Sequence, residues 1–416
     1  MNEPIIVLVG FTMAAVNSLQ NMEEKYRVLI IDEPDIIRKR KIDSMIKEKD
    51  VIYDLMSFEY QTPYGADQLF SLLRHLNVIS VAPAVEYATV CAARLAERFN
   101  LPGASYGASL ILRDKSMLRK VTSAFGILNP ASQNINSLIE AEKFMSERTG
   151  HVVLKPSNRQ GSVGTVIVQD EKNLRDAWEL SQVRDEGVMV PDREFISETL
   201  IEEFIKGDEY SVEALIINDK MVFSNVTQKI LFPGLRPVEK GHIVPALIDT
   251  GLKSSLISQT EKVLESVGFQ NGVVHCEWID SGNGLYLVEC AGRFAGDGIV
   301  ELIERAYEYD LVKNYHRLLR KQIIESPPDV NKEWALVHFY GGDEGIVNNV
   351  EIKHDVLESL DCFNFSLTVS VGLKTHFPSS SWERLGSVMT LASSEEAIRH
   401  KALEVNKSVV ISYEDL

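Results

Sequence analysis

Lys155 stands at the end of a β-branched run in "HVVLKPSNRQGSVGTVIV", residues 151–168, and Gly161 and Gly164 lie in the polar loop that follows. A strand-end ammonium beside such a loop suits a polyphosphate. The lysine supplies charge, and the glycines let backbone N–H groups approach phosphate oxygens closely. An ordinary surface hairpin with a turn lysine fits the same fragment. A Walker A loop, GxxxxGK[ST], is excluded, because here the lysine precedes the glycines and a strand follows them. Protein kinases also cover ATP with a glycine-rich hairpin, but neither HRD nor DFG occurs in this chain.

A second stretch, "HCEWIDSGNGLYLVECAGR", residues 275–293, carries carboxylates. Side chains alternate along a strand, so His275, Glu277 and Ile279 share one face, while Val274, Cys276 and Trp278 share the other. The short "SGNG" turn puts Glu289 opposite Glu277 to within a residue. Two carboxylates that close repel unless a cation lies between them, and Mg²⁺ suits an all-oxygen site shared with phosphates. A solvent-facing strand pair is the plain alternative, although Glu289 interrupts an apolar run. Zinc is disfavoured because Cys276 points away from His275. A third stretch, "IEEFIKGDEYSVE", residues 201–213, reads as a link between lobes whose backbone meets an adenine edge, with Glu209 free to accept ribose hydroxyls. A solvated acidic turn reads equally well there.

These groups need a scaffold, and 416 residues with 45% hydrophobic content can build two to four domains. "IIVLVG", "YRVLIID", "VIYDLM" and "NVISVAP" alternate with helical segments near residues 66–76 and 86–99, which is the pattern of a parallel βαβ sheet. No GxGxxG follows the first strand, so this Rossmann-like domain reads as scaffold and part of a substrate cleft, not as a dinucleotide site. A charged helix follows, with Asp114 as N-cap and Gly126 as stop. Next come strand pairs around Asn218 and Asp219 and around "SGNG". A helix from residue 299 is expected to run on helically to residue 324. "ESPPDVNKE" reads as a linker, and residues 334–416 as a small α+β domain with one late helix at 394–404.

The formal charge of -17 argues against duplex nucleic acid or an anionic membrane as partner. The N-terminus reads as a strand and not a signal peptide, no run is long enough for a membrane helix, and the four scattered cysteines fit free thiols. A cytoplasmic protein is the expectation.

Taken in order, "RDKSMLRK", "LKPSNRQGSVG", "IEEFIKGDEYSVE" and "HCEWID…LYLVECAGRFAGDG" resemble the ATP-grasp superfamily of carboxylate-amine ligases, and within it the L-amino acid ligases that make dipeptides. The resemblance runs over nearly the whole chain. It implies a multidomain α/β and α+β protein: a pre-ATP-grasp Rossmann-like domain at 1–112, a small lid subdomain at 113–200, a large subdomain with the metal site at 201–325, and a C-terminal domain at 326–416. It implies ATP held by Lys115, Lys155 and the mobile loop of Ser157, Gly161, Ser162 and Gly164. Glu202, Glu203, Phe204 and Ile205 match the adenine hinge and Glu209 the ribose acid. Glu277 and Glu289 match the metal carboxylates, for two Mg²⁺ ions with Mn²⁺ as a substitute. Arg293 matches the arginine that stabilises the transferring group, and Lys155 and Arg293 are the catalytic pair.

His242, Arg293, Gly296 and Asp297 are implied on the amino-acid side, where the helix start near Asp297 offers N–H groups to an oxyanion. Asp297 is an ammonium ligand or simply a helix cap, and His242 is otherwise a surface turn residue. The family implies an acyl-phosphate route to a dipeptide, with ADP and phosphate released, and a homodimer. The acid excess favours a cationic first amino acid such as arginine. One departure stands out: Ala291 replaces the asparagine that the family commonly places two residues after the bridging glutamate. Another carboxylate-amine ligase, or a nucleotide-binding relative without catalysis, is the alternative.

Overall fold

The computed structural model describes residues 3–22, 24, 26–148, 150–182, 190–193 and 198–414. The first four strands, β1 (Pro4–Val9), β2 (Arg27–Asp32), β3 (Ile52–Ser57) and β4 (Asn77–Pro83), form a parallel sheet in the order β3-β2-β1-β4. Both faces are covered, which is why these strands are apolar without alternation. Ile6, Leu8, Val28 and Ile30 share a core with Ile299, Leu302 and Ile303 from later in the chain. Ile5, Val7, Leu29 and Ile31 pack under the helices Gly65–Leu73 and Thr89–Arg98. The N-terminal domain is therefore welded to the helix that follows the candidate metal strands.

Asp32, at the end of β2, is 2% exposed. Burial pushes its carboxyl up to about 7, against the Glu33 N–H that it accepts and the nearby Arg40. In the unfolded chain it ionises near the usual value of 3.8. Between those two pH values the folded state binds more protons, so this group's contribution to stability falls as pH rises through the window. Asp32→Asn should stabilise the protein at pH 8 by roughly 1–3 kcal/mol and change little at pH 4. Thermal melts showing the same difference at both pH values would refute this.

Next in sequence, the helix Lys115–Ala124 starts at Asp114, whose carboxylate accepts the N–H groups of Ser116 at 2.8 Å and Met117 at 3.0 Å. Strands β5 (Ser132–Ile135), β6 (Val152–Pro156), β7 (Val166–Val168) and β8 (Thr199–Glu203) form an antiparallel sheet in the order β5-β8-β6-β7. This small sheet is roofed by the helices Leu138–Ser146 and Leu174–Ser181, through Phe144, Ala141 and Ala177.

Five further strands follow: β9 (Asp208–Ile217), β10 (Lys220–Leu231), β11 (Glu239–Val244), β12 (Gly272–Asp280) and β13 (Leu285–Ala291). Asn218 and Asp219 turn β9 into β10 at φ 47° and 64°, a left-handed pair suited to a two-residue hairpin. Cys276, Trp278 and Cys290 point under the helix Thr250–Val267 and are essentially inaccessible. His275, Glu277 and Glu289 take the opposite face, as alternation requires.

The helix expected to run on to residue 324 is broken. Ile299–Tyr307 ends at Glu308 in the left-handed region, and Leu311–Leu319 restarts with Asp310 as N-cap, accepting from Lys313 N at 2.8 Å. The propensity signal missed the break because neither glycine nor proline marks it. The remaining strands are β14 (Trp334–Tyr340), β15 (Gly345–Ile352), β16 (Cys362–Leu367), β17 (Lys374–Thr375), β18 (Gly386–Ala392) and β19 (Val409–Glu414). Strands β14, β18 and β16 extend the large sheet, whose order is β13-β12-β9-β10-β11-β14-β18-β16, and β17-β15-β19 form a small sheet beside it. One sheet thus crosses the proline-bearing segment. The C-terminal residues are fixed to the site strands through β11 and β14. Among the described residues, no helix is long and apolar enough to cross a membrane.

Candidate active site

A cleft of about 290 Å³ lies between the small sheet and the face of the large sheet that carries Glu277. Of the residues singled out from sequence, Lys115, Lys155, Gly161, Ser162, Glu202, Glu203, Phe204, Ile205, Glu209, Glu277 and Glu289 all line it. Ser157 and Gly164 anchor the loop instead. The Ser157 N–H donates to Glu198 O, its carbonyl accepts the N–H of Lys115, and Gly164 packs against the Pro156 ring. Gly161, Ser162 and Gly164 all have positive φ, and the Ser162 hydroxyl donates to Pro237 O at 3.0 Å.

Lys155 ends β6 with its ammonium 2.5 Å from Glu202 on β8. Glu202 also accepts from Arg119 Nε at 2.8 Å. Burial opposes ionisation of Glu202, but Arg119 and Lys155 hold it down at about 2. Burial also lowers the Lys155 ammonium. The Glu202 side chain therefore points at Lys155, and only its backbone is free to belong to a hinge with Phe204 and Ile205. Arg119 reaches on to Val288 O at 2.7 Å, next to Glu289.

Glu277 on β12 and Glu289 on β13 are direct cross-strand partners. Each is held by an ammonium: Glu289 by Lys115 at 2.8 Å, and Glu277 by Lys229 at 3.0 Å. Burial works against both carboxylates, yet Lys115 keeps Glu289 below the usual range, and Lys229 with His275 keeps Glu277 well below it. His275 bridges Glu213 and Glu277, with 2.9 Å to each. Burial opposes its charge, but the two carboxylates raise it to about 9, so an imidazolium donates from both nitrogens. Glu213 in turn accepts from Ser211, Asn225 and Thr227 at 2.6–2.9 Å. Glu277 is thus aimed by a buried polar network.

The donor set fits a hard divalent cation: two adjacent carboxylates, no sulfur, and no third carboxylate or imidazole in metal-binding arrangement among the described residues. Ala291, buried on β13, adds no donor.

Lys229, on β10, lies 3.4 Å from Glu239 and 3.7 Å from Glu209 as well as on Glu277. Burial opposes its charge, but three carboxylates raise it far above the usual lysine range. Glu209 is pushed up to about 7 by burial, with Glu277 and Glu239 adding to the shift and Lys229 opposing it. Sequence reading passed over Lys229, Glu239 and Arg119. Their one available signal was the inward position of Lys229 two residues after Thr227 on a strand.

The other residues form a second group. Arg293 is 2.5 Å from Glu86, which follows β4 in the N-terminal domain, and donates from Nη1 to Phe294 O at 2.7 Å. Glu86 also faces Arg113 at 3.9 Å, and no motif pointed to it. His242 is 1% exposed, with Nε2 3.2 Å from Asp297, so it is no surface residue. Asp297 is also gripped by the Arg384 fork at 2.8 and 2.5 Å. Gly296 is exposed, and its carbonyl accepts the Ile299 N–H, one of the N–H groups at the helix start.

Residues 149–301 match an ATP-grasp domain, and residues 337–414 match L-amino acid ligase C-terminal domain 2. The chain is 24% identical over 318 residues to alanine–anticapsin ligase of Bacillus subtilis (strain 168), covering 70% of this chain and 64% of that protein. It thus spans about two thirds of that relative's length. Its fold is shared with the crystal structure of L-amino acid ligase from Bacillus licheniformis, at a TM-score of 0.78, 16% identity and full coverage of both chains. It is also similar to the biotin carboxylase domain of Hydrogenobacter thermophilus 2-oxoglutarate carboxylase in complex with MgADP. There the TM-score is 0.64, with 15% identity and coverage of 98% and 90%.

Proposed function

Because the chain carries an ATP-grasp domain and an L-amino acid ligase C-terminal domain, we propose that it is an ATP-dependent ligase that forms a dipeptide from free L-amino acids. It would proceed through an acyl phosphate, with ADP and phosphate released. The observation that carries this reading is the in-register pair Glu277 and Glu289, faced by Lys115 and Lys155 in one cleft. Two carboxylates and two ammonium groups together match the needs of a triphosphate.

In this reading the backbone at 202–205 meets the adenine, and Glu209 accepts the ribose hydroxyls. Lys115 and Lys155 hold the phosphates, with Glu202 and Arg119 fixing the Lys155 ammonium. Glu277 and Glu289 would hold Mg²⁺, two ions or Mn²⁺ in their place, which neutralises the charge that builds up on the phosphates. The loop of Ser157, Gly161, Ser162 and Gly164 closes over the reacting groups and keeps water from the acyl phosphate. The Arg293 guanidinium would meet a carboxylate or developing oxyanion, with Glu86, 2.5 Å away, setting its orientation. His242, Gly296 and Asp297 belong to the amino-acid side. A cytoplasmic setting, supported by four free cysteines, and a homodimer complete the reading.

The experiment is phosphate release with ATP, Mg²⁺ and a panel of single and paired amino acids, with mass detection of products. The expected result is amino-acid-dependent phosphate and a dipeptide mass. Release that ignores amino acids, or needs another carboxylate, would overturn the dipeptide reading. Arginine belongs in the panel because the chain's acid excess raises it as a candidate first amino acid, against which the pairing of Asp297 with Arg384 argues.

A further inference from the structure

Asp297 is an acidic side chain of the amino-acid group that an ammonium or guanidinium substrate would seek, yet like Glu86, which is held on Arg293, it is already paired. Arg384, from the segment just before β18, grips it with two nitrogens, and His242 Nε2 takes a third contact. The Arg384 side chain is 11% exposed and fixed from three further sides. Its guanidinium lies 3.7 Å from the Phe339 ring centroid, Nε donates to Ser381 O at 2.9 Å, and Nη1 reaches Glu239 O at 3.5 Å. The Ser381 hydroxyl donates to Glu239 Oε2 at 3.0 Å. Glu239 contacts Lys229, which contacts Glu277. Asp297 and Arg384 do not line the cleft themselves, but these contacts connect the pair through Glu239 and Lys229 to Glu277, beside what the ligase reading takes as the amino-acid side.

We propose that Arg384 is a specificity-determining residue. Its guanidinium fills Asp297, so the activated amino acid is one with an uncharged side chain. A cationic side chain arriving here would meet a carboxylate already neutralised and a fixed like charge beside it, which is repulsive in a partly desolvated site. The negative net charge of the whole chain does not reach this pocket, because the local pair is balanced. This inference rests on the ligase reading above and names the substrate class of the same site.

The test traps the acyl phosphate with hydroxylamine, one amino acid at a time, so that hydroxamate formation reports the activated amino acid directly. The wild-type protein should give hydroxamate with small uncharged amino acids, and at least about tenfold less with arginine or lysine. Arg384→Met keeps an apolar stem against Phe339 but removes the charge, and should shift the cationic-to-uncharged ratio of kcat/KM upward by about tenfold or more. Arg384→Lys keeps the charge and should retain the wild-type preference at a lower rate, which covers the case of a methionine variant that does not fold. The proposal is overturned if the wild-type protein activates arginine as well as alanine, if Arg384→Met folds with an unchanged profile, or if Arg384→Lys admits cationic amino acids. Absence of hydroxamate and phosphate with every amino acid would instead overturn the ligase reading.

Discussion

Lys229→Met should abolish amino-acid-dependent phosphate release, with a loss of at least about 100-fold. The Lys229 ammonium is the shared partner of Glu209, Glu239 and Glu277, at 3.7, 3.4 and 3.0 Å. Without it three carboxylates converge on one buried point, and breaking a buried ion cluster by removing one partner costs about 3–5 kcal/mol. Some of that penalty is relieved by protonation, and Glu209, already pushed up to about 7, is the first to take a proton. A protonated Glu209 is a poorer acceptor for ribose hydroxyls, so nucleotide affinity should fall as well. Lys229→Arg, which keeps the charge, should recover part of the activity. The readings are phosphate release, titration with a fluorescent ATP analogue, and thermal melts. A methionine variant that melts like the wild-type protein and works within about threefold of it would show that Lys229 is not the cation that organises these acids.

Glu289→Gln should separate chemistry from nucleotide binding. The change is isosteric, and Lys115 keeps its second contact, the bond to Arg159 O at 2.8 Å, so the phosphate end of the cleft is preserved. What disappears is one of two adjacent anions able to hold a divalent cation. The turnover number should fall by about 1000-fold, while binding of the nucleotide without metal changes by less than about tenfold. Metal dependence gives the sharper reading, since the variant should need far more Mg²⁺ for its residual activity. Untouched phosphate release at ordinary Mg²⁺ would mean that the β12–β13 carboxylates do not hold the metal.

The legible part of this chain was local. Alternation along β12 separated Glu277 from Cys276 and Trp278, and the short turn put Glu289 across from it, because a two-residue period and a hairpin are set by a dozen neighbouring residues. The N-cap at Asp114 and the left-handed turn at Asn218 and Asp219 were readable for the same reason. The break at Glu308 was not, since Asp310 caps a new helix with a residue type that also occurs inside helices. Glu202 was assigned to a hinge from its place in the chain, whereas its side chain answers to Lys155 and Arg119, from strands and helices that sequence spacing does not relate.

By itself the sequence determined the parallel N-terminal sheet, the order of the glycine-bearing loop, the 201–213 stretch and the carboxylate hairpin, and residue types of the kind that could hold a nucleotide and a cation. Those follow from periodicities that each segment carries within itself. Only the tertiary structure decided which charges pair. Arg293 meets Glu86 from the first domain, Arg384 reaches back to Asp297 from the last, and Lys229 is surrounded by acids from three other strands. An ion pair needs its partners within about 4 Å, and residues so far apart in sequence reach that distance only when sheet register and domain packing bring them together.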